Sequence, residues 1–285
     1  MVSLGISGVV GMSEYGRQLP GQPRQLEYHP HVTQIFNVSQ LMTITWDIAI
    51  PVLNEEIRLT SGINRLVTFL EENAFSGTYV ISIADNGSTD RTEEVARELC
   101  AQYPQVRYLK VGKRGVGLAL KAAWGKSTST YVGYMDVDLA TDLKHLLDVR
   151  NGFNDPSIQV VNASRLLPGS VVVNRTRLRE TTSRGFNLLL KIIVGTTISD
   201  GMCGFKFIRR ESWAKLGKLG WQNDGWFYCT EMVVRAEWSK MKIHEIAVHW
   251  NDDQESRVKL FRLIRQYLAA MIRLRWNKSA LTCHQ

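Results

Sequence analysis

Apolar and polar positions alternate along the chain in a way that predicts strands and helices in turn. Apolar runs rich in β-branched and aromatic residues predict strands at Thr43–Val52, Thr78–Asn86, Val106–Val111, Thr130–Val137 and Ile158–Ser164. Segments with apolar residues at helical spacing predict helices at Ile57–Asn73, Arg91–Gln102, Val116–Lys126 and Leu143–Phe153. This alternation predicts an α/β fold, with a Rossmann-like, mostly parallel sheet and helices on both faces.

Polar motifs follow three of the predicted strands. "PVLNEE" comes after the first strand, "DNGSTD" after the second, and "DVD" ends the fourth. Ligands of such sheets bind beyond the carboxyl ends of the strands, so these motifs are expected to line a site. "DNGSTD" also has the residues of an ordinary turn that starts a helix, and that interpretation stays open, although Asp85 at the strand end is able to accept hydrogen bonds from a base or ribose.

The "DVD" motif places Asp136 and Asp138 two positions apart. Residues so spaced on a strand project to the same side, so the two carboxylates are expected to share one crevice. Two close carboxylates repel each other and favour a cation, and oxygen-only ligands suit Mg²⁺ or Mn²⁺ bridged to substrate phosphates. A D-x-D pair alone is common on loops, and its position after a buried strand strengthens the prediction.

An arginine-rich segment follows the fifth strand and contains Arg165, Arg175, Arg177, Arg179 and Arg184. Guanidinium groups suit phosphate oxygens, and an acceptor that is a phosphate monoester is anionic near neutral pH. The alternative is a solvated charged face.

Composition bounds the class of protein. The 285 residues are 44% hydrophobic and 22% charged, which is ordinary for a soluble globular chain, and no run approaches the roughly 18 apolar residues of a membrane-spanning helix. The four cysteines are widely spaced, which favours reduced thiols and a cytoplasmic location over a secreted disulfide scaffold. Residues 1–42 lack periodicity and are expected to form a poorly ordered extension.

The formal net charge of +8 is unevenly placed. Arg257–Lys278 carries seven Lys or Arg, no acids, and apolar residues at helical spacing. This basic amphipathic helix either packs its apolar face on the domain or is attracted to an anionic membrane surface, which would make the protein peripheral on the cytoplasmic face. Without a known recognition motif, a nucleic-acid partner is not expected.

Several motifs in order resemble family 2 glycosyltransferases: "IPVLNEE", "ADNGSTDRT", "GYMDVDLAT", "NASRLLPGS", "SDGMCGFKFIRRE", "WFYCTEMVVRA" and "ESRVKL". They are most similar to the subgroup that makes polyprenyl-phosphate sugars, such as dolichyl-phosphate glucosyltransferases and mannose synthases. The resemblance implies a GT-A domain over 43–256, followed by the basic helix and tail at 257–285. It also implies inverting transfer of a hexose from a nucleotide-sugar donor of the UDP-glucose or GDP-mannose type to a polyprenyl phosphate, with Mg²⁺ or Mn²⁺ as cofactor.

The resemblance also implies roles for individual residues. Donor binding is expected from Pro51, Leu53, Glu55, Asp85, Asp136 and Arg257. Metal binding is expected from Asp136 and Asp138, and binding of the acceptor phosphate from Arg179 and Ser183. Direct involvement at the transfer site is expected from Asp138, Arg165 and Asp200.

Three positions depart from the family pattern. Ala140 replaces a glutamine that completes the metal motif in mannose synthases, Asn86 replaces the second aspartate of "DDGS", and Met202 replaces the glutamine of "QCGF". These changes leave the donor sugar open. Two alternatives also remain open: a family 2 glycosyltransferase acting on a growing glycan, and a non-catalytic module that binds nucleotide sugars or a membrane surface.

Overall fold

The computed structural model describes residues 45–73, 75, 78–252 and 260–282, with the backbone alone at 260–264. The predicted extension at 1–42 lies outside these residues, as does Arg257, so the predictions for them stay predictions.

The described residues form strands and helices that alternate through the first half of the chain. The strands are β1 (Trp46–Val52), β2 (Tyr79–Asp85), β3 (Val106–Lys110), β4 (Tyr131–Met135), β5 (Ile158–Ser164), β6 (Val171–Val173), β7 (Phe205–Arg209), β8 (Lys242–Ala247) and β9 (His249–Asn251). The helices are α1 (Leu59–Glu72), α2 (Thr92–Gln102), α3 (Val116–Gly125), α4 (His145–Gly152), α5 (Arg177–Val194), α6 (Arg210–Gly217), α7 (Phe227–Trp238), α8 (Leu260–Trp276) and α9 (Lys278–Leu281).

Seven of the strands form one sheet in the order β3-β2-β1-β4-β7-β5-β8. All neighbours are parallel except β7, which runs antiparallel to both β4 and β5. The predicted mostly parallel α/β sheet is therefore confirmed. β6 and β9 pair in parallel as a separate ribbon.

Two apolar clusters cover the two faces of the sheet, because successive side chains of a strand point to opposite faces. Ile48 and Ile50 of β1 belong to the cluster that also contains α1, α2 and α4 side chains, whereas Ala49 packs with α3, α6 and α7. The predicted layering with helices on both faces follows from this alternation.

α8 packs its apolar face on α5 and α7. Met271 and Leu274 of α8 are buried with Leu190 of α5 and Val234 of α7. The described part of the basic amphipathic helix thus packs on the domain, as the first of the two accounts expects. Its basic face remains exposed and includes Arg273.

Candidate functional site

Asp136 and Asp138 lie in the turn that directly follows β4. The strand was expected to reach Val137, but it ends at Met135. In the turn, the Leu139 amide donates to the Asp136 carbonyl at 3.1 Å, and the Ala140 amide donates to Asp138 Oδ1 at 3.0 Å. A turn, and not the pleat of a strand, therefore positions the acidic pair, and Leu139 adopts a left-handed backbone with φ of 53° to allow it.

The two carboxylates are close enough to influence each other's ionisation. Burial raises the pKa of Asp136 to about 7, and the negative charges of Asp138 and Glu55 add to the increase. A carboxylate pair that resists double ionisation is a good site for a divalent cation, which relieves the repulsion.

The donor set fits Mg²⁺ or Mn²⁺ shared with a substrate. Within the described residues no three His, Cys, Asp or Glu side chains come together as a metal site. Ala140, where mannose synthases have a glutamine, is buried in the apolar core and offers no side-chain ligand. Ions of this class are often held by one or two carboxylates while substrate phosphates and water fill the other positions. Asp136 and Asp138 suit that arrangement.

The end of β1 and the loop after it carry three of the residues predicted to bind the donor. Pro51 is the penultimate residue of β1, Leu53 follows the strand, and Glu55 lies near enough to raise the pKa of Asp136. The Glu55 amide donates to Thr92 Oγ1 at 2.8 Å, and the Asn54 amide donates to Ser88 Oγ at 3.0 Å. The loops after β1 and β2 are thus joined at the carboxyl edge of the sheet.

Asp85 ends β2 and is buried. Its Oδ1 accepts hydrogen bonds from the amides of Gly87 and Ser88 at 3.0 and 2.8 Å, and its Oδ2 accepts from the Tyr108 hydroxyl at 2.7 Å. These bonds fix the turn that precedes α2. Asn86 accepts a hydrogen bond from the Gly115 amide directly before α3, so its side chain links this turn to the start of that helix.

Arg165 and Asp200 form a two-pronged ion pair. Arg165 Nε and Nη2 donate to the two carboxylate oxygens of Asp200 at 2.7 and 3.1 Å, and the Arg165 amide donates to Oδ2 at 3.2 Å. Burial acts to raise the pKa of Asp200, but the charge of Arg165 and its hydrogen bonds outweigh this and hold the pKa well below its usual range. Asp200 is therefore ionised throughout the neutral range.

One face of α5 points toward this ion pair and carries Arg179, Ser183 and Asn187 at intervals of four. Asn187 Nδ2 approaches Asp200 Oδ1 at 3.4 Å, and Arg179 Nη1 pairs with Asp252 Oδ1 at 3.1 Å. Ser183 is buried, and its Oγ has no hydrogen-bond partner among the described residues. A buried hydroxyl without a partner is unusual, and this one is available for a hydrogen bond to a ligand atom.

A cavity of about 140 Å³ is lined by one member of the acidic pair and one member of the ion pair. Asp136 and Arg165 both line it, together with Met202 and Trp226. The structure therefore brings Asp136 and Arg165 to one cavity, with Asp138 beside Asp136 and Asp200 behind Arg165. It places Pro51 at the end of β1 and Leu53 and Glu55 on the loop that follows.

Two residues of the site were not anticipated. Asn187 links α5 to Asp200 and accepts the Gly201 amide through Oδ1 at 2.9 Å. Lys206 is fully buried on β7, where its Nζ donates to the Cys203 carbonyl at 2.8 Å, and burial lowers its pKa. Asn187 lies four residues after Ser183, so helical spacing was a usable signal for it. No local pattern in the sequence pointed to Lys206, because its burial depends on the position of β7 between its two antiparallel neighbours.

The chain is similar to two known glycosyltransferases over most of its length. The chain is 29% identical over 231 residues to glycosyltransferase AglD of Haloferax volcanii, which covers 81% of this chain and 37% of that protein. It is also 29% identical over 241 residues to dolichyl-phosphate beta-glucosyltransferase ALG5C of Trichomonas vaginalis, covering 81% of this chain and 70% of that protein. The chain thus spans well under half of AglD.

Among solved structures, glucosyl-3-phosphoglycerate synthase from Mycobacterium tuberculosis, crystallised with Mn²⁺, UDP-glucose and phosphoglyceric acid, superposes with a TM-score of 0.59. The sequence identity is 18%, over 82% of this chain and 80% of that one, so the likeness concerns the fold. It confirms the predicted GT-A architecture.

No helix within the described ranges is both long enough and apolar enough to cross a bilayer.

The model of the family named glycosyl transferase family 2 matches residues 47–217, which include the acidic pair, the ion pair and the helix face of α5. The chain therefore belongs to glycosyl transferase family 2.

Proposed function

We propose that this protein transfers a hexose from a nucleotide-diphosphate sugar to a polyprenyl phosphate, with inversion at the anomeric carbon. The observation that carries the proposal is the single cavity lined by Asp136 and Arg165. Asp136 belongs to a carboxylate pair suited to a metal-bound diphosphate. Arg165 pairs with Asp200, which Asn187 links to the face of α5 that carries Arg179 and Ser183. The similarity to the relative named dolichyl-phosphate beta-glucosyltransferase ALG5C supports the same reaction.

On the donor side, Asp136 and Asp138 would hold Mg²⁺ or Mn²⁺. When bound, such an ion neutralises the negative charge that builds up on the departing diphosphate. We expect Pro51, Leu53 and Glu55 to border the nucleoside, and Asp85 to contact the base from the turn that its own hydrogen bonds fix. A donor of UDP-glucose or GDP-mannose type fits this arrangement.

On the acceptor side, an oxygen of the phosphate forms a bond to the anomeric carbon while the bond from that carbon to the diphosphate oxygen breaks. A phosphate monoester with a second pKa of roughly 6 has already lost its proton near neutral pH, so no side chain has to remove one. The reaction then depends on positioning and charge. The carboxylate of Asp200 is fully paired with Arg165, so Asp200 acts as a positioning residue.

A lipid acceptor is supported by the outer surface of α5. The helix that carries Arg179 and Ser183 exposes Leu178 and Ile192, whose side chains are 68% and 70% accessible to solvent. Leu188 and Leu189 are also exposed on this helix. Apolar side chains exposed beside a phosphate site suit a prenyl chain or the membrane that holds it. The exposed arginines of the adjoining α8 suit anionic lipid headgroups.

A transfer assay tests the proposal. The full chain, with Mn²⁺ or Mg²⁺, a radiolabelled sugar nucleotide and a short polyprenyl phosphate, is expected to yield a labelled lipid. UDP-glucose, GDP-mannose and UDP-N-acetylglucosamine are compared as donors. Transfer to a saccharide but to no polyprenyl phosphate would instead identify a glycan acceptor. Metal-dependent nucleotide binding without transfer to any acceptor would indicate a binding module.

A further inference from the structure

Arg175 is a buried cation whose hydrogen-bonding capacity is largely unused. It lies between β6 and α5, and its side chain is only 8% exposed. Among the described residues, Nε and Nη1 have no hydrogen-bond partner, and Nη2 makes one long bond of 3.4 Å to the Arg179 carbonyl. Buried guanidinium groups normally have their donors satisfied, since an unmet donor costs free energy.

The charge of Arg175 is also only partly balanced. Its nearest carboxylate, Glu180, lies 3.4 Å from Nε and also holds Arg184 at 2.5 Å. Burial lowers the pKa of Arg175, and the neighbouring positive charge of Arg165 lowers it further.

The other two acids that act on Arg175 already have arginine partners. Asp200 is held by both prongs of Arg165, and Asp252 is held by Arg179 at 3.1 Å. Arg175 is therefore a buried cation whose neighbouring carboxylates are already paired with other arginines. Its charge would be balanced by a bound anion.

We infer that Arg175 is a phosphate-binding residue of the acceptor site, where its free guanidinium edge and the Ser183 hydroxyl contact the phosphate monoester beside Arg179. The inference rests on the proposed function and adds a residue to its acceptor site. The contact of Arg175 with the Arg179 carbonyl places it at the first turn of α5. The amino-terminal end of this helix adds a favourable partial charge for an anion.

Arg175 also selects the charge of the acceptor. A dianionic monoester offers charged oxygens to two donors of the fork and balances the charge of Arg175, whose nearest carboxylate, Glu180, is shared with Arg184. A monoanionic diester leaves part of this charge unmet. The site therefore prefers a terminal phosphate over an internal phosphodiester.

The test combines acceptor kinetics with direct binding. We expect Arg175→Gln to raise the KM for a short prenyl phosphate at least about tenfold while the KM for the sugar nucleotide stays within about twofold. Arg175→Lys, which keeps the charge and loses the fork, is expected to fall between Arg175→Gln and the wild type. Arg177→Gln changes an exposed arginine two positions away and is the matched control, with an unchanged KM for both substrates.

Stability separates phosphate binding from a structural role. Because Arg175 is incompletely paired in the folded protein, Arg175→Gln is expected to keep or raise the melting temperature without ligand. It is also expected to lose the stabilisation that the short prenyl phosphate gives the wild type in a thermal-shift titration. A fall in melting temperature together with equal losses for donor and acceptor would overturn the inference.

The inference and the proposed function fail separately. If Arg175→Gln transfers the sugar to a polyprenyl phosphate as well as the wild type does, the role of Arg175 is wrong and the proposed function still holds. Absence of transfer by the wild type overturns the function, whereas Arg175-dependent binding of the prenyl phosphate in the thermal-shift titration would still support the anion site. If the wild type binds the prenyl phosphate no better than Arg175→Gln, the anion site is wrong.

Discussion

Gly204 leaves the space into which the carboxylate of Asp136 packs. A methyl group at position 204 would overlap Oδ2 of Asp136, and that carboxylate is the nearest group it would meet. Because β7 runs antiparallel to β4, the start of one strand lies beside the end of the other, where the acidic pair begins. A glycine far away in the sequence therefore sets the position of Asp136.

Gly204→Ala should move this carboxylate and weaken activity more than stability. We expect kcat/KM to fall by about tenfold or more, since small displacements of a positioned group are costly in catalysis. Transfer kinetics with a thermal melt measure both effects. Gly125→Ala is the control, because a methyl group there meets only a Trp213 ring atom at an ordinary 4.0 Å. Equal loss of activity in both variants would contradict the role of Gly204.

Asp136→Asn should stabilise the metal-free protein at alkaline pH while abolishing transfer. Burial and the charge of Asp138 raise the pKa of Asp136 from 3.8 to about 7, so the folded protein binds this proton more tightly than the unfolded chain does. The free energy of unfolding of the wild type therefore falls as the pH rises between those two values. The variant does not titrate there, so its advantage in melting temperature should grow from pH 4 to pH 8 by several degrees, at about 2–4 °C per kcal/mol. Melts in chelator across this range measure it, and an advantage that is independent of pH would contradict the assignment.

Asp200→Asn should be strongly destabilising because it strands the buried charge of Arg165. Breaking a buried pair in this way typically costs about 3–5 kcal/mol. Urea unfolding at pH 7 measures the loss, and the double variant Asp200→Asn with Arg165→Met should recover a large part of it.

The pH dependence of this pair has the opposite sign to that of Asp136. The pKa of Asp200 is held below its unfolded value, so the stabilisation is present above about pH 4 and is lost as the pH falls further. As the pH falls below about 4, the wild type should lose stability more steeply than the double variant. Equal losses in the two proteins would be inconsistent with the ion pair.

Ser183→Ala should impair acceptor binding without weakening the fold. The Ser183 hydroxyl is buried without a partner among the described residues, so its removal forfeits no internal hydrogen bond. We expect the acceptor KM to rise about five- to tenfold, with an unchanged or higher melting temperature. Ser212→Ala is the opposite case, because its Oγ donates to Gln159 Oε1 at 2.6 Å, and it should lose about 1 kcal/mol of stability with no change in acceptor KM.

The exposed apolar face of α5 should matter only for long acceptors. Leu188→Asp with Ile192→Asp is expected to reduce transfer to a long polyprenyl phosphate in anionic vesicles by about tenfold, because the acidic side chains oppose contact with the lipid. Transfer to a short, water-soluble prenyl phosphate should stay within about twofold. Leu219→Asp, on a different part of the surface, is the control. Equal losses for both acceptors would indicate that this face has no role in lipid contact.

The sequence by itself determined the alternating half of the fold. Strand and helix periods were strong from Trp46 to Ser164, and each predicted element there is present within a few residues. Polar motifs after the strands identified the acidic pair, because parallel strands bring their carboxyl ends to one edge. The family motifs added Arg165, Arg179, Ser183 and Asp200, which are dispersed over the second half of the chain.

Only the tertiary structure decided how these residues meet. The antiparallel insertion of β7 places Gly204 against Asp136 and buries Lys206 nearby, and no local period encodes which strand lies beside another. The pairing of Arg165 with Asp200 leaves Arg175 without a comparable partner, although the sequence presents these arginines alike. Their difference arises because burial and neighbouring charge, which depend on the folded chain, decide which guanidinium group is fully paired and which is not.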